Sequence, residues 1–343
     1  MTMNDNYIYI YPFCFITKGR HFFSIYDTLH KRMHKFDIEL YDIAKTQFRK
    51  RTVGELLSLY NINDKEVILS FIEYLINNDL ARYVNNIDCF PLLKEQWDSP
   101  FTIKRCIIDI RNIWHNLDSI FLQLSKLLCP KVEIRVYRAL QLNEIKEIIK
   151  VFHNYDFGVL FLVFPYNELL LTEEGSMQLS REIQNDYRIM LNMYGVPDDM
   201  LDVINNIKET YTSLSYSLTT SPKNITGKED CGEINPTNFH EMSIEEIMEN
   251  RCYNGCLNRV ISIDEEGQIK NCPSMAISYG HISTDSLLNI CAKDDFKKYW
   301  GLCNSMIEEC KECEMRIICL GCRAYLSDPS NIYSKPRKCN YIP

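Results

Sequence analysis

The chain has 343 residues, of which 46% are hydrophobic and 24% charged, and its formal net charge is -8. This length predicts two or three domains that each bury a core, and 21 Tyr with 16 Phe exclude a disordered chain. The negative charge argues against nucleic acid or an anionic membrane as a partner. No apolar run approaches the ~20 residues that span a bilayer, and the amino terminus lacks the features of a signal peptide. We therefore expect a cytoplasmic protein.

Residues 1–92 predict a winged-helix module. Tyr7–Ile16 and His21–Tyr26 are rich in aromatic and β-branched residues and predict a hairpin around Lys18-Gly19. A closing strand is expected at Leu80–Val84. Between these strands the sequence predicts three helices, at Ile38–Lys45, from Thr52 through Tyr60, and at Lys65–Asn78.

The third of these helices carries more apolar surface than its own module requires. Its core-facing apolar residues recur at helical spacing and form one stripe, and Val67 and Tyr74 extend the apolar surface beyond that stripe. The extension is equally consistent with a wide core face and with a groove that binds a peptide beside an open sheet edge. For the second alternative, the candidate peptide contacts are Phe22, Ser24, Tyr26, Val67 and Tyr74. DNA binding is disfavoured, because residues 1–90 contain 11 Lys+Arg and 11 Asp+Glu.

Residues 93–240 alternate predicted strands and helices, which favours parallel βα units. The stretch is too short for a complete barrel of ~250 residues, so a degenerate partial βα barrel is expected, followed by a linker at Ser221–Phe239 that contains Pro and Gly. The strands are predicted at Thr102–Ile110, Lys131–Tyr137, Gly158–Phe164 and Ser213–Leu218, with helices through Leu128, at Asn143–Asn154 and through about Thr210.

Residues 241–343 are rich in cysteine. Eleven of the 15 cysteines lie in the last 113 residues of the chain, and short Cys spacing in a reducing compartment more often holds metal than disulfides. Eight thiols at such spacings predict two sites of four thiolates, which suit either iron–sulfur clusters or structural zinc. These eight are Cys252, Cys256, Cys272, Cys310, Cys313, Cys319, Cys322 and Cys339. Cys256 and Cys272 flank a predicted hairpin that turns at Gly267.

These spacings resemble the SPASM domain of radical SAM peptide-modifying enzymes, which holds auxiliary [4Fe–4S] clusters. The resemblance implies one cluster on Cys252, Cys256, Cys272 and Cys322, and a second on Cys310, Cys313, Cys319 and Cys339. It leaves Cys231, Cys291 and Cys303 as structural residues. One departure is the gap from Cys319 to Cys322, which has two residues where the usual pattern has three.

A narrower resemblance rests on the residues that flank the cysteines. Asn271-Cys-Pro-Ser-Met275, Cys310-Lys-Glu-Cys-Glu-Met-Arg316 and Cys322-Arg-Ala-Tyr325 look like the SPASM-domain peptide maturases of grasp-with-spasm systems. Those are encoded beside an ATP-grasp ligase and a short precursor peptide. The amino-terminal module is similar to the winged-helix leader-recognition element of ribosomal peptide maturation.

The motif that starts radical chemistry is missing. A radical SAM enzyme carries Cys-x3-Cys-x2-Cys after the first barrel strand, and here Arg111-Asn-Ile-Trp-His115 contains no cysteine. Without three thiolates there is no open iron for SAM, so we expect no SAM cofactor. We assign no catalytic residue, because the sequence contains no P-loop and no dinucleotide-binding glycine motif.

Together these patterns predict an α/β multidomain protein that takes part in maturing a ribosomally made peptide. In this hypothesis it binds the leader of the precursor peptide and acts as an adaptor for an ATP-grasp ligase. Two alternatives remain open. The clusters could instead transfer electrons in peptide modification, or both sites could hold zinc.

Overall fold

The structure, a computed structural model, describes residues 3–94, 96–112, 114–183, 186–235, 239 and 241–343. It is a mixed α/β protein with three sheets of two, eight and three strands. Within the described ranges, no helix combines the length and the apolar character that a membrane span requires.

The amino-terminal module contains two small sheets and three helices. Strands β2, β3 and β4 form an antiparallel sheet in that order, and β1 pairs with β5. The elements are β1 (Tyr7–Ile10), β2 (Cys14–Lys18), β3 (Phe22–Asp27), β4 (Arg32–Asp37), α1 (Phe48–Lys50), α2 (Val53–Leu57), α3 (Ile62–Asn77) and β5 (Ala81–Val84), with 3-10 turns at Ile38–Leu40 and Ile87–Cys89 and a π-helix at Ile43–Gln47. A capping box between Thr52 and Glu55 begins α2.

The hairpin predicted around Lys18-Gly19 is present as β2–β3. The first predicted strand, however, is divided into β1 and β2, which belong to different sheets. Strand β4 was not predicted, because its residues are half exposed and largely charged. Its presence makes β3 the middle strand of the sheet.

The central sheet has the order β10-β9-β8-β7-β6-β11-β12-β13. Strands β6 to β10 are parallel, and each lies beside the strand that follows it in the chain. The sheet is therefore singly wound, as in βα barrels. Among the described strands, β10 and β13 pair on one side only, so the sheet is open. The elements are β6 (Arg105–Ile110), α4 (Leu117–Lys126), β7 (Lys131–Val136), α5 (Leu142–Phe152), β8 (Val159–Pro165), α6 (Glu173–Ile183), β9 (Ile189–Tyr194), α7 (Leu201–Thr210), α8 (Thr212–Ser217) and β10 (Leu218–Ser221).

Three of the predicted strands are confirmed as β6, β7 and β8, but the fourth is wrong. Ser213–Leu218 alternates serine with larger residues and therefore resembled a strand, yet most of it is helix α8. The strand that follows β8 is instead β9, within the stretch predicted as helix. Both faces of β9 carry apolar residues, which removes the alternation that would have indicated a strand.

The cysteine-rich region shares the central sheet. Strand β11 (Val260–Ile263) pairs in parallel with β6 and forms the predicted hairpin with β12 (Gln268–Lys270), with Gly267 at a positive φ of 84° in its turn. The sheet therefore crosses the boundary predicted near residue 240. The remaining elements are α9 (Ile244–Cys252), β13 (Gly280–His281), α10 (Leu287–Ala292) and 3-10 turns at Phe296–Tyr299, Asn304–Met306 and Cys310–Glu312.

Candidate metal centres

Four of the predicted ligands surround one pocket near the carboxyl terminus. Cys310, Cys313, Cys319 and Cys339, hereafter the distal group, line one pocket that is partly open to solvent. The backbone of Ile234 pairs with that of Cys339 and thereby holds the last cysteine at the pocket. The structure therefore brings together the whole set that the SPASM resemblance implies for the second cluster.

The thiols of the distal group are close enough to influence one another electrostatically. The pKa of Cys310 is raised to about 11 and those of Cys313 and Cys319 to about 12, mainly by burial and to a smaller degree by the charges of the other cysteines in the group. Two backbone amides oppose this effect: Met315 donates to the Cys313 sulfur at 3.4 Å, and Gly321 donates to Cys319. Thiols with raised pKa values stay protonated unless a metal displaces the proton.

A second group of cysteines lies at the β11–β12 hairpin. Burial raises the pKa of Cys256 above its usual range, and the charges of Cys272, Cys322 and Cys231 add to the effect. The pKa of Cys272 is raised to about 11, again first by burial and then by Cys231 and Cys322. We call Cys231, Cys256, Cys272 and Cys322 the hairpin group.

Cys231 belongs to this group because residues 228–235 fold back onto the cysteine-rich region. The hydroxyls of Ser274 and Tyr325 both donate to the carbonyl of Lys228, at 2.9 and 3.1 Å. Gly232 has a φ of +84°, and a Cβ there would lie 3.0 Å from the Cys322 sulfur. The described part of Ser221–Phe239 is thus not a free linker, and the expectation that Cys231 is only structural is not supported. Pro236 of that segment lies outside the described residues.

Cys252 is the remaining cysteine that the resemblance assigns to the first cluster. It is the last residue of α9 and, like Cys231, is exposed. The charges of Cys272, Cys322 and Cys231 act on the Cys256 thiol. We therefore treat Cys231 as a further candidate ligand of the hairpin group, and the role of Cys252 stays a prediction.

A sharp turn separates the two groups where Cys319 and Cys322 diverge. Gly321 has a φ of +69°, and a Cβ there would lie 2.3 Å from the Asn304 side-chain oxygen. The Asn254 amide donates to the Gly321 carbonyl at 2.7 Å, and the Asn304 amide donates to the Cys319 carbonyl at 2.6 Å. The two-residue gap therefore sends one thiol to each group.

The donor set of four thiolates suits both structural zinc and [4Fe–4S] clusters. In the described ranges, no three His, Cys, Asp or Glu side chains converge on a point as a single metal ion requires.

Several other cysteines are buried in the protein interior. Cys106, Cys129 and Cys291 are buried in the apolar core of the central sheet, where burial raises the pKa of all three. Cys303 is also buried.

The backbone carbonyls of Asp109 and Asp264, at the carboxyl ends of β6 and β11, both contact the imidazole of His115. The sequence supplies no cysteine to that end of β6.

The predicted peptide contacts of β3 face the cysteine-rich region instead of solvent. The Ser24 hydroxyl donates to the Glu314 carbonyl at 2.6 Å, and the Tyr26 hydroxyl accepts from the Met242 amide at 2.9 Å. Phe22 is covered by the Lys35 ammonium, which lies 3.9 Å from the ring centre. As a middle strand, β3 cannot add another strand. Ser24 and Tyr26 therefore attach the module to the cysteine-rich region, and the assignment of Phe22, Ser24 and Tyr26 to peptide binding stays a prediction that these contacts do not favour.

Strand β4 is one of the two edge strands of this sheet, the other being β2, and among the described strands each pairs only with β3. The Ile38 amide donates to the His21 carbonyl at 3.2 Å, so these two opposite residues form a hydrogen-bonded pair. In an antiparallel ladder, hydrogen-bonded pairs alternate with pairs that are not hydrogen-bonded to each other. In this register Met33, Lys35 and Asp37 belong to the second kind of pair, so their backbone N–H and C=O groups point away from β3. Beside this edge, Tyr74 of α3 packs on His34 and Phe36. Val67 lies two turns earlier on the same face of α3, and the two side chains are 55% and 42% exposed.

Comparison with known proteins leaves the family of the chain open. No family model matches the sequence, and no curated protein matches it significantly. The similarity to SPASM proteins therefore rests on the spacing and flanking residues of the cysteines, together with the two groups that the fold assembles.

Proposed function

We propose that this protein helps to mature a ribosomally made peptide, as a leader-binding adaptor for an ATP-grasp ligase. The observation that carries the proposal is the assembly of two four-cysteine groups beside a module with an open strand edge. The resemblance to the maturases of grasp-with-spasm systems supplies the class of peptide and the class of partner.

In this proposal each cysteine group holds one [4Fe–4S] cluster. The distal group uses Cys310, Cys313, Cys319 and Cys339, and the hairpin group uses Cys231 in place of Cys252. When bound, a cluster with four thiolate ligands can fix the fold or transfer electrons. SAM cleavage is not proposed, because it requires an open iron and the sequence lacks the cysteine triad that would provide one.

The leader would bind by adding a strand to β4. Backbone hydrogen bonds along such an edge give affinity, while side-chain pockets set the register. The edge offers the outward backbone groups of Met33, Lys35 and Asp37, and the exposed Val67 and Tyr74 of α3 supply an apolar surface beside it. Residues on β4 and α3 therefore replace those on β3 as the proposed contacts.

Metal content tests the ligand assignment. We expect the wild-type protein, purified without oxygen, to contain iron and acid-labile sulfide in equal amounts. Cys231→Ser should lose about half of both, since one of two clusters loses a ligand, whereas Cys252→Ser should keep them. Cys310→Ser should lose the other half, and the buried Cys303→Ser serves as a control.

The opposite pattern, with loss in Cys252→Ser and none in Cys231→Ser, would restore the assignment that the resemblance implies. Zinc without sulfide would replace the clusters by structural zinc and leave the adaptor role intact. A wild-type chain with neither metal would reject both centres.

Peptide binding tests the β4 surface. The probe is a fluorescein-labelled synthetic precursor peptide from the gene next to that of this chain, titrated with the full-length protein. Covering a valine contributes about 1–2 kcal/mol, so Val67→Asp should weaken binding about tenfold or more. Leu59→Asp, at a residue of the same module that is 60% exposed, should bind like wild type.

The backbone contribution is tested at Asp37, whose φ of -63° already suits proline. Asp37→Pro removes an outward amide and Asp37→Ala keeps it, while both remove the carboxylate. Weaker binding by the proline variant alone supports strand addition. Equal binding by both variants would contradict it.

Ligase activity tests the adaptor role. Tethering the precursor raises its concentration at the active site of the partner, so the ATP-grasp ligase should modify the peptide at least tenfold faster with this protein present. Val67→Asp should abolish most of that gain at low peptide concentration. A ligase that is equally fast without this protein would overturn the adaptor role.

Electron transfer remains a second candidate, and the solvent-open pocket at the distal group favours it because a partner could approach that cluster. If reduction of the clusters changes the product of peptide modification, the redox role is correct. If clusters locked in one redox state support full modification, only the adaptor role stands.

A further inference from the structure

Arg323 is a buried arginine of the cysteine-rich region and is only 3% exposed. It follows Cys322 of the hairpin group directly and stands four residues after Cys319 of the distal group. The thiols that act on its guanidinium electrostatically come from both groups: Cys310 and Cys319 on one side, Cys322 and Cys256 on the other. The electrostatic influence of both cysteine groups therefore reaches this one cation.

The guanidinium is held in place but only partly bonded. Its Nη1 donates to the carbonyls of Ser334 and Ile332, at 2.8 and 3.2 Å. Its Nε and Nη2 are buried and have no hydrogen-bond partner among the residues that the structure describes. Burying a charged group without a partner is strongly unfavourable, so these two donors indicate a negatively charged neighbour.

Neutral thiols cannot serve as the negatively charged acceptor for these two guanidinium donors, because they are uncharged and accept hydrogen bonds only weakly. Metal-bound thiolates do, since a centre with four thiolates is an anion and its sulfur atoms accept hydrogen bonds. We propose that Arg323 is the shared counter-cation of the two centres and donates from Nε and Nη2 to metal-bound sulfur on both sides. This inference rests on the proposed clusters and adds a positioning residue that links them.

A shared cation has consequences for both centres. It stabilises the anionic forms, so its removal should weaken metal retention, and partners of metal ligands typically contribute 10- to 100-fold to affinity. It also favours the reduced, more negative state of each cluster. Loss of the charge should therefore move both reduction potentials to more negative values.

The experiment compares wild type, Arg323→Met, Arg323→Lys and Arg337→Met after anaerobic reconstitution with iron and sulfide. Arg337 is an exposed arginine of the same region and is the matched control. The readouts are the rate of iron loss to a chelator and the midpoint potentials of the clusters. We expect Arg323→Met to lose iron about tenfold faster from both groups with potentials shifted negative, Arg323→Lys to be intermediate, and Arg337→Met to match wild type.

Circular dichroism checks the fold of each variant. If Arg323→Met does not fold, Arg323→Gln, which keeps donors and removes the charge, takes its place. Iron loss and potentials equal to wild type in the neutral variant would overturn this inference alone. A wild-type chain that takes up no iron would overturn the proposed clusters and this inference together, so the two failures are distinguishable.

Discussion

Thiols in a protein interior ionise only if positive charge compensates them, and the cysteine-rich region is organised around this requirement. Burial raises the pKa of Cys256, Cys272, Cys310, Cys313 and Cys319, so the protein alone keeps them neutral. At the same time, the buried Arg323 has two donors without a partner among the described residues. In the proposed function, metal binding would meet both conditions, because it would remove the protons and leave anionic sulfur beside the cation.

The fold connects this region to the rest of the chain by backbone pairing. Strand β11 extends the parallel sheet beyond β6, which places the cysteines at either end of the β11–β12 hairpin near Arg105 and Arg135 of that sheet. The amino-terminal module attaches to residues 312–316 through Ser24 and Arg20. A peptide held on β4 would therefore be tied to the cysteine-rich region through β3, the neighbouring strand of the same small sheet.

The parts that the sequence predicted are those set by local patterns. The capping box at Thr52 and the turn at Gly267 each depend on residues close together in the chain, whereas the set of four cysteines in the distal group came from the SPASM resemblance and is completed by the pairing of Cys339 with the distant Ile234. The proposed role of Cys231 could not be predicted, because the position of Cys231 depends on a segment that resembles a linker and is held by distant contacts from Ser274 and Tyr325. Strand β4 was missed for a related reason, since its exposed charged residues satisfy no strand pattern and its place is fixed by pairing with β3.

Anomalous diffraction at the iron absorption edge, from crystals grown without oxygen, tests the central claim most directly. Two iron peaks should appear, one surrounded by Cys231, Cys256, Cys272 and Cys322 and the other by Cys310, Cys313, Cys319 and Cys339. Iron at neither position would contradict the claim, as would an iron peak at the carboxyl end of β6.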